Sequence, residues 1–113
     1  MLIASSSTPD QVTAVQARHG RDAAGHAIEQ AMADLAEGLM QSGVRRLIVA
    51  GGETSGAVVD RLKIPGFLVG AEIAPGVPVL RTICPTGDSK LLALKSGNFG
   101  GPRFFTDAVA LMN

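Results

Sequence analysis

Tryptophan and tyrosine are absent from this sequence, and its aromatic content is four phenylalanines. A core built from such a chain must be mainly aliphatic, drawn from Leu, Val, Ile and Ala. The single cysteine, Cys84, excludes an internal disulfide. With no signal-peptide pattern at the start, the cytoplasm is the default compartment and Cys84 reads as a packing residue. An excess of one charge is missing too: ten Lys and Arg stand against ten Asp and Glu, without a polybasic run. Nucleic-acid and anionic-membrane binders normally carry such a run, so a small anion held locally is the ligand class left open. Apolar runs stay far short of the about 20 residues that cross a bilayer as a helix. The expectation is a soluble chain with neither nucleic-acid nor membrane partners.

What is present fits one compact domain: 113 residues, 46% of them hydrophobic, form a single core more readily than two. Leu2–Ser5 reads as a short strand, and Thr8-Pro9 as a helix start, with Thr as N-cap and Pro in the first turn of a helix towards His19. After Gly20, the residues Ala24, Ile28, Ala31, Leu35 and Leu39 recur at helical spacing, which predicts a long amphipathic helix closed near Gly43 by a left-handed C-cap. The run Leu47-Ile48-Val49-Ala50 predicts a central parallel strand buried on both faces. It breaks at Gly51-Gly52-Glu53-Thr54-Ser55-Gly56, and a helical segment follows through Leu62. Beyond Pro65, strands are expected at Phe67–Val69 and Val77–Ile83, separated by the turn residues Ala74-Pro75-Gly76. Leu91–Lys95 reads as a further buried strand, running into Ser96-Gly97-Asn98-Phe99-Gly100-Gly101, and Phe104–Leu111 as a last helix. The fold class is α/β: a mostly parallel sheet flanked by helices in a Rossmann-like, three-layer arrangement.

The strand, glycine loop, helix device is where this sequence carries chemistry. A loop that enters a helix leaves backbone N–H groups unpaired, and the helix dipole adds partial positive charge there, which suits phosphate. Gly51, Gly52 and Gly56 let the main chain approach a bulky anion without Cβ clashes, and Thr54 and Ser55 offer hydroxyls for capping or for phosphate oxygens. The loop lacks both the Lys of a Walker A motif and the spacing of a dinucleotide fingerprint, so a tight turn that binds nothing is the competing reading. The second glycine loop also follows a strand end, where open α/β sheets gather their ligand loops, so the two are expected to share one crevice. Lys95 either faces phosphate or is solvated or paired with a carboxylate. Phe99 either flanks a base or anchors its loop on the core. Glu53 is a single carboxylate, too little to assign a metal site.

His19 and His26 lack ligand spacing and read as surface residues, and Ser5-Ser6-Ser7 read as turn or cap residues rather than nucleophiles. No carboxylate or histidine in the motifs is paired with another titratable group, so no general base is assigned.

Taken together, Arg46–Val59 with its Gly-Gly-Glu-Thr, Glu72-Ile73-Ala74-Pro75-Gly76-Val77-Pro78, and Ala93–Gly100 resemble the C-terminal end of the four-carbon acid-sugar kinases, most closely the 3-oxo-tetronate kinases. The likeness runs over nearly the whole chain. It implies ATP, used with Mg²⁺, as the cofactor, and a four-carbon sugar acid phosphorylated on its terminal hydroxyl. Carried over by motif, the nucleotide contacts would be Gly51, Gly52, Glu53, Thr54 and Ser55, joined by Gly97 from the second loop. Members of this family are several times longer, with an N-terminal domain that binds the sugar acid and supplies the base. The resemblance therefore implies a fragment or subunit of a kinase, inactive without that domain. A non-catalytic nucleotide- or phosphate-binding module, or a remnant that self-associates as a homo-oligomer, are the other readings.

Overall fold

The computed structural model describes residues 1–4, 9–83, 89–96 and 99–112. Ser5–Thr8, Cys84 and the Gly97-Asn98 pair, on which several sequence expectations fall, lie outside the described residues. Among the described residues four helices and four strands follow one another as α1 (Pro9–His19), α2 (Arg21–Gln41), β1 (Arg46–Ala50), α3 (Gly52–Leu62), β2 (Phe67–Ala74), β3 (Val77–Thr82), β4 (Leu91–Lys95) and α4 (Phe104–Leu111). Residues 1–4 form no strand.

The strands make one sheet in the order β1-β4-β3-β2. β1 and β4 run parallel, with Ile48 opposite Ala93 and Ala50 opposite Lys95. β4 pairs antiparallel with β3, and β3 with β2. The α/β class holds, but the sheet is mixed, its parallel part being the β1–β4 pair. The reason is local: Pro75 and Gly76, the latter at φ +83°, turn β2 straight back into β3 without a crossover helix. β1 also stands at the edge of the described sheet, where its apolar run suggested a central strand. Within it Val49 is buried against α2 and α3, and Leu47 and Ile48 are half-buried.

Alternation along the strands sorts the core into two layers. Leu47, Val49 and Leu94 face Ala36 of α2 and Val58 and Leu62 of α3. Ile48, Leu91 and Ala93, with Val77 and Val79 of β3, face Phe104, Ala108 and Met112 around α4. The result is the expected three-layer α/β/α arrangement. Small residues dominate where α2 packs: Ala24, Ala33 and Ala36 are buried, whereas Ile28 and Leu35 from the anticipated stripe stay exposed. α2 closes as its sequence suggests, with Gly43 at φ +104°, Val44 N–H donating to the Leu39 carbonyl at 3.1 Å and Gly43 N–H to that of Met40 at 3.3 Å. On the outer side, the Arg61 guanidinium of α3 pairs with Asp34 and donates to Gln30 Oε1 at 2.7 Å, fastening α3 to α2.

Candidate functional site

The two parallel strands deliver both glycine loops to the same end of the sheet. Gly51, at φ +112° and ψ 128°, turns the chain from β1 into α3, a backbone conformation that side chains rarely tolerate. Its N–H donates to the Lys95 carbonyl at the end of β4 at 2.7 Å, and its own carbonyl accepts the Ser55 N–H at 2.9 Å. Gly52 then passes so close to the second loop that a Cβ on it would stand 3.0 Å from Ser96 Oγ. The two loops expected to lie together therefore meet, Gly51 and Gly52 on one side and Lys95 and Ser96 on the other.

The expected residues of the first loop have definite places in this arrangement. Gly52 and Glu53 are exposed in the first turn of α3, and Thr54 is half-buried, its Oγ1 3.4 Å from where a Gly51 Cβ would sit. Ser55 is buried, and its Oγ has no hydrogen-bond partner among the described residues. Backbone N–H groups at a helix N-terminus, beside glycines that keep Cβ atoms away, suit an anion of phosphate type, and the unpartnered Ser55 hydroxyl lies in the same turn. Gly97 lies outside the described residues, so the second loop is represented by Ser96 and Phe99. Lys95 is half-buried at the strand end. One edge of the Phe99 ring rests on Gly76 in the β2–β3 turn, since a Cβ there would meet its Cε1 at 2.9 Å and Cδ1 at 3.0 Å.

Beside the loop, packing of α2 on α3 creates a contact that sequence reading missed. Glu53 lies close enough to Glu29 that its carboxyl, through hydrogen bonding first, then desolvation and its charge, pushes the Glu29 pKa above its ordinary 4.5, while His26 acts in the opposite sense. The partner of Glu53 in this contact, Glu29, lies on α2 outside the glycine motifs. Glu29 and Glu53 are separated by a helix, a loop and a strand, and no local spacing announces their meeting. His26 is exposed, as expected, yet it shares a polar recess with Glu29, Glu53, Asp60 and Arg61. Among the described residues no group of three His, Cys, Asp or Glu side chains could hold a metal ion, and no helix is long and apolar enough to cross a membrane.

Comparison with known proteins places this geometry. The family model described as "Nucleotide-binding C-terminal domain" matches residues 1–105. A 3-oxo-tetronate kinase of Methylobacterium radiotolerans is 64% identical over 112 residues, which is 99% of this chain and 26% of the relative. One from Cupriavidus necator is 54% identical over 96% of this chain and 25% of its own length. A crystal structure of the Haemophilus influenzae protein HI1011 superposes with a TM-score of 0.83 at 48% identity, covering 95% of this chain and 25% of that one. The chain thus spans about a quarter of the length of the curated relatives it matches. On its matched length and its identity to these relatives, the chain belongs to the family of nucleotide-binding C-terminal domains found in 3-oxo-tetronate kinases.

Proposed function

We propose that the crevice where β1 and β4 end holds the phosphates of ATP, and that the domain serves a kinase acting on the terminal hydroxyl of a four-carbon sugar acid, 3-oxo-tetronate or a close relative. The observation that carries the reading is the meeting of the two loops at Gly51, Gly52, Lys95 and Ser96, with the buried, unpartnered Ser55 hydroxyl in the first turn of α3. Gly51, Gly52, Glu53, Thr54 and Ser55 form the phosphate cradle, Gly97 completes it from the second loop, and all belong to one domain. ATP brings the phosphoryl group and, with Mg²⁺, its charge compensation. The chain's own part is to fix the phosphates by backbone N–H groups and hydroxyls and to keep bulk away from them.

Phosphoryl transfer depends on positioning and on stabilising developing charge, so a nucleotide half without an acceptor half has little kinase activity. The acceptor's site and its base belong to the part of the longer kinases that this chain does not cover. An ATP-dependent step on a small metabolite sits in the cytoplasm. The test is a chimera in which this chain replaces the matching C-terminal quarter of the Methylobacterium radiotolerans relative. ATP-dependent phosphorylation of 3-oxo-tetronate by the chimera, with none by the 113-residue chain alone, is the expected result. A folded chimera without turnover, assayed beside an active parent, would contradict the reading.

A further inference from the structure

We propose that Phe99 is the platform on which the base of a nucleoside triphosphate stacks, with Gly76 of the β2–β3 turn fixing the ring's position. The proposal rests on the crevice being a phosphate site, and it adds the residue that reads the rest of the nucleotide.

Two phenylalanines in this region sit against glycines, and they do so differently. Phe104 is 3% exposed and lies directly under Gly100, where a Cβ would come within 2.7 Å of its Cδ2. That ring is core, an anchor in the full sense. Phe99 rests one edge on Gly76 but remains 52% exposed. A ring whose sole task was to pin its loop would gain more from being covered, as Phe104 is. Gly76 holds the ring without hiding it: at φ +83° the position favours glycine, and the missing Cβ is what leaves space for the ring edge.

The backbone that carries the ring also adjoins the cradle through Ser96. The Phe99 N–H donates to the Ser96 carbonyl at 3.2 Å. An i to i+3 bond of this kind holds the two Cα atoms within about 7 Å of each other. Ser96 is the residue whose Oγ would lie 3.0 Å from a Gly52 Cβ. A nucleoside triphosphate with its phosphates at Gly51–Ser55 can therefore bring its base to the Phe99 ring. Aromatic faces accept any base by stacking, and such contacts tolerate the base's identity.

The experiment titrates the 113-residue chain with Mg-ATP and, separately, with Mg-tripolyphosphate, which has the phosphates and no base. Wild type is expected to bind ATP at least about tenfold more tightly than tripolyphosphate, in keeping with one base–aromatic stack. Phe99→Ala and Phe99→Leu should both lose that advantage while tripolyphosphate affinity stays at its wild-type value. Leu keeps an apolar group against Gly76, so an anchoring role would be rescued by it and a stacking role would not. Equal wild-type affinity for the two ligands, or a similar loss of both in the variants, would overturn the stacking role and leave the phosphate site standing. Failure of wild type to bind either ligand would overturn the phosphate site and the stacking role together.

Discussion

At Ser55 the structure separates stability from function most cleanly. A buried hydroxyl without a partner costs about 1–3 kcal/mol of lost hydration, and a protein gains nothing in folding by keeping it. Ser55→Ala is accordingly expected to raise the unfolding free energy by about 1 kcal/mol in urea melts while weakening ATP binding. A loss of stability in this variant would mean that the hydroxyl is already satisfied within the fold. Gly51 carries a constraint of the opposite kind, because its φ of +112° and its 2.7 Å bond to the Lys95 carbonyl fix the path on which both loops depend. Sequence reading found these residues because glycine after an apolar run is a local signal. It could not see that Gly52 would meet Ser96, since that contact depends on which strand pairs with β1.

Between elements, the α2–α3 packing governs the surroundings of the first loop. Arg61 ties α3 to Asp34 and Gln30 on one side, and Glu29 neighbours Glu53 on the other. The Arg61 pKa is raised above its ordinary value, first by the Asp34 hydrogen bond, so the guanidinium stays charged throughout the working range. Glu29 carries the other shift. Its folded pKa lies above the ordinary 4.5, so its contribution to stability is complete below that pH and is lost as pH rises through the folded value. Glu29→Gln keeps a hydrogen-bonding group and removes the charge. Thermal melts from about pH 4 to neutrality should show a component of stability falling with pH in wild type and missing in the variant. An identical pH profile in both would show that the two carboxyls do not share a proton. Helices α1 and α4 and the C-cap at Gly43 were legible from Pro9, from the periodicity of Phe104–Leu111 and from the glycine itself. The buried stripe of α2 was not, because the sequence pattern favours its large residues while the packing surface selects Ala33 and Ala36, which let α2 come close. The strand directions were legible only in part, since an apolar run looks alike in parallel and antiparallel pairs.

For the whole molecule, the sheet divides its labour. The β2–β3 hairpin and β4 pack on α4 through Val77, Val79, Ala93 and Phe104, and this layer supports the second loop from below. β1 with α2 and α3 builds the other layer and carries the first loop. Their junction, at the ends of β1 and β4, is where the account places phosphate. The measurement that tests this most directly is calorimetric titration of the 113-residue chain with Mg-ATP, set beside Gly52→Val. Position 52 has no positive φ to strain, but a side chain there enters the crevice against Ser96 Oγ. Saturable binding to wild type, and its loss in a Gly52→Val protein that melts like wild type, is expected if the phosphates sit at this junction. Undiminished binding to the Gly52→Val chain would place the nucleotide elsewhere and contradict it.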